Sequence, residues 1–482
     1  MAARQQIGRR AFMRSVAAGT ACAAVAAEGD TVRAVGRKPN VVFVFADQWR
    51  RQAAAYAGDP NVRTPNLDKL AAQGVHCRNA VSCSPVCSPY RASLITGQYP
   101  LTHGVFMNDL YLRPEAVSVA EVFNDNGYQT AYIGKWHLDG HGRSSYIPRE
   151  RRQGFQFWKV LECTHAYNHS PYYGDADAKL LWGGYDAIAQ TREAQRYLRE
   201  ERGDGPFALF LSWGPPHNPY ETAPEEYKRL YDPADVELRP NVPPEMAERA
   251  RKDLAGYYAH CSALDACLGD LLETLREEGL EEDTVFVFTS DHGDMLGSQG
   301  QSRKQRPWDE SIRVPFLLSY PALLGRPGRA VDHFLNAPDV MPTLLSLCGL
   351  PIPATVEGRD LSKAILGGGD PPEDDAALIA CHAPFGEWTR RRGGREYRGV
   401  RTHRYTYVRD LSGPWLLYDN EKDPYQLRNV VNEPAYAEVQ AHHETLLAQK
   451  LEETHDAFLP GDEYIKQWGY TVDETGTVPY GP

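Results

Sequence analysis

The amino-acid sequence predicts an α/β fold: a large, mostly parallel β-sheet sandwiched by helices, with a smaller C-terminal α+β subdomain of an antiparallel sheet and one helix. Three observations carry this. Short β-branched and aromatic runs alternate with helical patterns through most of the 482 residues, as in a parallel sheet covered on both faces. The leading runs all stop in polar residues at the strand ends, where open α/β sheets bind ligands. After Gly367-Gly368-Gly369-Asp370-Pro371-Pro372 the pattern changes to strands that follow one another directly, which reads as a linker and a second unit. The predicted boundaries are residues 38–370 for the larger domain and 371–482 for the smaller.

Residues 1–30 stand apart from both. Gly8-Arg9-Arg10-Ala11-Phe12-Met13-Arg14 precedes an alanine-rich run that ends in Ala24-Val25-Ala26, the pattern of a twin-arginine export signal removed on maturation. The run is too short to span a bilayer. The implied partner is the twin-arginine translocase, and the implied location is periplasmic or secreted, in a bacterium. Cysteine spacing shows no Cys-x-x-Cys pair and argues against a zinc knuckle, while an oxidising compartment permits disulfides. The 64 acidic against 52 basic residues argue against nucleic acid as a partner. An anionic substrate has to be captured by a local positive site.

Along the chain, Val41–Phe45 is the first strand and delivers Asp47 and Gln48. Asn66–Gln73 is a helix. The run Ser84-Pro85-Val86-Cys87-Ser88-Pro89-Tyr90-Arg91 leads into another, because Pro89 fits a first helical turn. Cys87 then stands just before a helix N-terminus, where free N–H groups and the helix dipole favour an anion. Arg91, one turn in, can bring its fork to the same place. Helix Ser118–Asn126 is followed by strand Gln129–Ile133, which ends in Gly134-Lys135-Trp136-His137. Strand Phe207–Trp213 ends in Pro215-Pro216-His217, and after helix Asp253–Glu278 strand Val285–Thr289 ends in Asp291-His292-Gly293. In the smaller unit Leu378–His382, Tyr397–Val400, Tyr405–Val408 and Trp415–Tyr418 read as strands and Ala435–Asp456 as a closing helix. The tail after Ala457 is expected to lie on the surface without a regular element.

These segments together carry a resemblance. Pro39 to Gln48, Thr64 to Asp68, the Cys87-x-Pro89-x-Arg91 run through Leu94-Ile95-Thr96-Gly97, Gly134 to Leu138, Ser290 to Gly293, Lys304 to Pro315 and Leu417-Tyr418-Asp419 resemble, in order, the type I formylglycine-dependent sulfatases of the alkaline phosphatase superfamily. The resemblance covers about Asn40 to Tyr418. It implies an alkaline-phosphatase-like fold and oxidation of Cys87 to formylglycine by a maturation enzyme. It also implies one divalent ion on Asp47, Gln48, Asp291, His292 and the modified Cys87 oxygen. Calcium is the family's ion, with Mg2+ or Mn2+ as alternatives. Many relatives have a second Asp at the position of Gln48 and an Asn at that of His292; an imidazole suits borderline ions better than calcium.

The family's sulfate-binding and acid/base residues map onto Arg91, Lys135, His137, His217 and Lys304. In the mechanism this implies, one hydroxyl of the hydrated aldehyde attacks sulfur, His217 or Lys304 protonates the leaving oxygen, and His137 is the base that lets the second hydroxyl expel sulfate. The expected substrate is a sulfated carbohydrate or another sulfate ester. Two alternatives keep the same residues: a phosphonate or phosphate ester hydrolase of that superfamily, and a non-catalytic glycan-binding protein with Cys87 unmodified.

Two further groups of residues carry expectations. His165, Tyr167, His169, Tyr172, Tyr173 and Trp182 either stack on sugar rings or pack a long connection. Arg390, Arg391, Arg392, Arg395, Arg398, Arg401 and Arg404 form either a solvated face or a second anion-holding surface beside the cleft. His76 and His103 read as structural histidines.

Overall fold

The computed structural model describes residues 38–479, so the predicted export signal lies outside the described residues. The main sheet has eight strands: β1 Asn40–Asp47, β2 Val75–Val81, β3 Gln129–Lys135, β4 Phe157–Leu161, β5 Phe207–Pro216, β6 Thr284–Ser290, β7 Phe316–Ser319 and β8 Arg329–Asn336. Their order is β8-β2-β7-β6-β1-β5-β3-β4. All neighbours are parallel except those of β7, which runs antiparallel to β2 and β6.

The principal helices are α1 Pro65–Gln73, α2 Cys87–Thr96, α3 Val119–Asp125, α4 Asp186–Arg196, α5 Ala247–Glu277 and α6 Val340–Leu347. Alternate side chains of a strand leave opposite faces. Val41, Phe43 and Phe45 of β1 therefore join one core with α2, α3 and α6, while Val42, Val44 and Ala46 join another with α1, α4 and α5. Local chemistry starts these helices: Pro65 is the first residue of α1, and Ser118 and Glu121 close a capping box on α3. Cys87 is itself the first residue of α2, one position further in than the sequence suggests.

The second sheet is an antiparallel meander of β9 Ala376–Cys381, β10 Tyr397–Thr402, β11 Tyr405–Asp410 and β12 Gly413–Asp419. One face, with Val400, Tyr407 and Leu417, is covered by α7 Ala437–Glu453 through Leu446 and Leu447. The other, with Ile379, Tyr397 and Val408, shares a core with Val81, Ile312 and Phe334 of the main body. A common apolar core joins the two sheets.

The tail corrects the sequence reading, because it contains the helix α8 Gly461–Trp468. Tyr464 enters the main core, Trp468 lies over Gly104, and the Tyr470 hydroxyl donates to the Gly104 carbonyl at 3.0 Å. A Cβ at Gly104 would sit 2.4 Å from the Trp468 ring. The apolar side of α8 finds its partner in a loop more than three hundred residues earlier in the chain.

The arginine group is also resolved. Arg398 is fully buried and forks onto Asp456, Arg401 onto Asp309 at 2.9 and 3.1 Å, and Arg404 onto Asp419 at 2.8 and 3.0 Å. Arg395 pairs with Asp410 at 2.7 Å and Arg390 with Glu396. Most of the expected anion-holding surface is thus spent on structural ion pairs. Burial pushes Asp456 up, but Arg398 and His382 outweigh it and hold the carboxylate well below its usual range. A depressed carboxylate stabilises fully above its unfolded pKa of about 4 and loses that contribution as pH falls through the folded value. Asp456→Asn should therefore cost about 3–5 kcal/mol at neutral pH and cost less at acid pH; denaturant unfolding at both pH values checks this.

Candidate active site

The carboxyl ends of β1, β3, β5 and β6 meet the start of α2 at one edge of the sheet. β1 delivers Asp47 and Gln48, β3 Lys135, the turn after β5 His217, and the turn after β6 Asp291 and His292. Gln48 turns sharply at φ +73°, held by its N–H on Asp291 Oδ1 at 2.9 Å and by Tyr257 O–H on its carbonyl at 2.7 Å. Close packing requires glycine nearby: a Cβ on Gly293 would lie 2.0 Å from the Glu310 carbonyl oxygen.

One ligand atom each from Asp47, Cys87, Asp291 and His292 lies within 4.8 Å of the others, and all four residues are buried. Cys87 Sγ is 3.3 Å from His292 Nε2 and 3.6 Å from Asp47 Oδ1. His292 Nδ1 faces the Gly293 carbonyl at 2.9 Å; a proton there leaves Nε2 as a lone pair toward the carboxylates, the tautomer of a metal ligand. Burial and the neighbouring Asp47 charge both push Asp291 up, a repulsion that a divalent cation relieves. The donor set fits one such ion.

Cations surround the cluster. Lys135 Nζ donates to Asp47 Oδ2 at 2.5 Å, and Lys304 Nζ lies 2.8 Å from Gln48 Oε1 and 2.5 Å from His217 Nε2. Burial raises Asp47, but Lys135, His217, Arg91 and His292 outweigh it and hold it well below the usual carboxylate range. Burial and then Lys304 push His217 well below its ordinary value. His217 Nδ1 also faces the Asn218 carbonyl at 2.8 Å, so a neutral ring accepts at Nε2 from the Lys304 ammonium. In this pair Lys304 is the hydrogen-bond donor and His217 the acceptor.

Arg91 departs from the arrangement expected for it. Its Nη2 bonds Asp291 Oδ2 at 3.0 Å and Asp47 Oδ2 at 3.3 Å, and its Nη1 bonds the Lys135 carbonyl and Ser212 Oγ at 2.9 and 2.7 Å. The guanidinium clamps the two carboxylates from behind and is not turned to an incoming anion. His137, in a left-handed conformation at φ +60°, lies 2.7 Å from Asp109 Oδ1 through Nε2, and Arg143 bonds the same carboxylate. His137 Nδ1 has no partner among the described residues.

Residues 39–350 match the protein family described as Sulfatase. The chain belongs to the sulfatase family. It is a sulfuric ester hydrolase, and residues 297–455 also match the region described as the C-terminal part of N-sulphoglucosamine sulphohydrolase. This sulfatase is 46% identical over 451 residues to the ulvan-active sulfatase of Formosa agariphila, an alignment covering 92% of the chain and 87% of the relative. It is 32% identical to the endo-4-O-sulfatase of Bacteroides thetaiotaomicron, covering 81% and 88%. A solved structure from work on glycosaminoglycan metabolism in Bacteroides thetaiotaomicron superposes with a TM-score of 0.80 at 29% identity, covering 89% of the chain and 99% of that structure. The phosphonate monoester hydrolase of Agrobacterium radiobacter superposes at 0.72 and 25% identity, covering 86% and 96%.

Several residues of the sulfatase site carry no local sequence signal. Asp109 reaches His137 from a separate loop, and Asp294 takes the Gln48 amide N–H at 2.5 Å, orienting its oxygen toward Lys304. Cys163 is buried beside Lys135, His137 and His165; burial raises its thiol, but these three outweigh it and bring it down to about 6. The aromatic stretch divides. His165 stacks on His217 at 4.5 Å, at the site, whereas Tyr167, Tyr173 and Trp182 are buried and Tyr172 stacks on Trp182 at 3.9 Å. His103 is structural as expected, bonded to Ser93 and to the Val105 N–H. The eight cysteines of the described residues are all free and buried.

Proposed function

We propose that this sulfatase removes sulfate from a sulfated polysaccharide, with residue 87 carried as formylglycine and one divalent ion on Asp47, Gln48, Asp291, His292 and residue 87. The observation that carries the reading is the buried Asp47, Cys87, Asp291 and His292 cluster at the start of α2, flanked by Lys135 and by the Lys304–His217 pair. The 46% identical relative is named for activity on ulvan, which makes a sulfated polysaccharide of that kind the first substrate to try. Calcium is the family's ion, with Mg2+ or Mn2+ as competitors for a set that includes an imidazole.

When bound, the ion and the hydrated aldehyde supply an activated oxygen nucleophile. The chain's own residues do the rest. Arg91 fixes Asp47 and Asp291, Lys135 and Lys304 place positive charge where sulfate oxygens gain charge, and Lys304 gives a proton to the departing alkoxide. Asp109 holds His137, the residue that the resemblance assigns as the base for residue 87, through Nε2 at 2.7 Å. The twin-arginine segment supports export through the translocase to the periplasm or beyond, and the Cys87-x-Pro89-x-Arg91 run supports a maturation enzyme as a partner.

Sulfate release from ulvan, measured by ion chromatography on protein co-expressed with a maturation enzyme, tests the reading. Matched aryl sulfate and aryl phosphonate esters should differ in kcat/KM by about 100-fold or more in favour of the sulfate, roughly 2.7 kcal/mol in transition-state binding. Faster phosphonate turnover would move the protein to the superfamily's phosphonate hydrolases.

A further inference from the structure

The catalytic cluster is reached from one side. Asp47, Gln48, Asp291 and His292 are 0% exposed, whereas His217, Lys304 and Lys135 are 4%, 5% and 6% exposed. A substrate therefore meets the cluster past those three residues. His165 borders the same side: it is half-buried, and its ring lies parallel to that of His217, with centroids 4.5 Å apart and 5° between the planes. None of the chemistry above uses it.

The loop that carries His165 is tied down on both sides of it. Before it, the Cys163 N–H donates to the Arg143 carbonyl at 3.0 Å. After it, the buried Tyr167 donates its hydroxyl to the Asn218 carbonyl at 3.2 Å, and Asn168 donates its amide to the Thr222 carbonyl at 3.0 Å. Both of these bonds go to the turn that presents His217. One edge of the His165 ring faces the buried Cys163 thiol, and among the described residues no other group hydrogen-bonds the ring. An imidazole has two nitrogens, so one is left for a ligand, on a ring already held in place.

The departing ester oxygen lies at the Lys304–His217 pair, and the carbon skeleton it leaves with must extend outward, toward His165. On a sugar, the carbons next to the ester carry hydroxyl groups; on a simple aryl sulfate they do not. A site that hydrogen-bonds a substrate hydroxyl discriminates more sharply against analogues lacking it than an apolar pocket can. We propose that His165 is a specificity-determining residue that hydrogen-bonds, through its remaining ring nitrogen, a sugar hydroxyl on a carbon next to the sulfate ester. This rests on the protein acting on a sulfated carbohydrate.

Steady-state kinetics on ulvan oligosaccharides and on 4-nitrophenyl sulfate, which has no hydroxyl beside its ester, test it. In His165→Ala and His165→Phe, kcat/KM for the oligosaccharide relative to that for the aryl ester should fall by about tenfold or more. His165→Gln, which keeps a hydrogen-bonding amide, should recover part of the ratio. His165→Phe keeps a ring to stack on His217 and removes both nitrogens, so a ratio retained in that variant would assign His165 to holding the His217 ring and overturn the proposal. Equal loss on both substrates, or no change in any variant, would overturn it too. Binding gives a second readout: in a Cys87→Ala background, calorimetric titration with the oligosaccharide should give a Kd about tenfold weaker with His165→Phe, and an unchanged Kd would count against the hydrogen bond. The Phe and Gln variants decide the matter even if His165→Ala does not fold. Wild-type turnover of the aryl ester but of no sugar sulfate would remove both this inference and the polysaccharide reading, whereas oligosaccharide turnover with an unchanged ratio in the variants would remove this inference alone.

Discussion

Cys87→Ala should reduce sulfate release by about 10⁴-fold or more, the scale seen when a covalent nucleophile is deleted, while the protein stays folded. Residue 87 is the first residue of α2, buried beside Asp47 and His292 in the candidate metal cluster. The change from thiol to methyl removes little volume, and its stability cost should stay near 1 kcal/mol. Cys87→Ser is the more discriminating variant. A single hydroxyl can accept the sulfuryl group but lacks the second hydroxyl that expels it, so one sulfate per chain should be transferred and retained. Mass spectrometry of the peptide containing residue 87 reads both the modification in the wild type and the trapped sulfate in the variant. Full turnover by protein carrying only the Cys87 thiol would overturn the formylglycine assignment.

Asp47→Ala should be almost as damaging, for a different reason. Asp47 Oδ2 anchors Lys135 at 2.5 Å and Arg91 at 3.3 Å, while Oδ1 faces the metal cluster. Its loss removes one of two carboxylates from the ion, leaves the buried Lys135 without its acid, and leaves Arg91 with Asp291 alone. Metal affinity should fall by about 100-fold or more, and stability by about 3–5 kcal/mol, the cost of breaking a buried pair. Asp291→Ala should share the loss of metal. Gln48→Ala removes a neutral amide and should cost about tenfold in affinity, at the low end for a site partner. Elemental analysis and calorimetric metal titration of each variant check the order. Two zinc ions per chain in the wild type, or a Gln48→Ala loss equal to that of Asp47→Ala, would contradict the site as assigned.

Four strands were legible in the sequence because they are buried on both faces. Val41–Phe45, Phe207–Leu211 and Val285–Phe288 are continuous apolar runs and Ala131–Ile133 a shorter one, which parallel central strands require, and each is cut off where the chain leaves the sheet toward the site. Strands β2 and β7 were not legible. In β2 the residues His76, Arg78 and Asn79 interrupt the apolar pattern, and β7 is four residues long. Their strand character comes from hydrogen bonds to neighbours already in place.

The sequence by itself determined the order of the central strands' ligand residues, the anion-favouring start of α2 and the antiparallel meander, since each rests on neighbours a few residues apart. Tertiary structure alone decided what those residues face. Arg91 reads as an anion-binding side chain and is found clamping Asp47 and Asp291; Arg398 and Arg401 read as surface charge and are found buried against Asp456 and Asp309. Asp109 and Asp294 reach His137 and Gln48 from separate loops, and the helix Gly461–Trp468 packs on Gly104. The physical reason is common to all of them. A charge or an apolar face takes its role from the partner within a few ångströms, and here that partner lies tens to hundreds of residues away, where periodicity and local propensity carry no information.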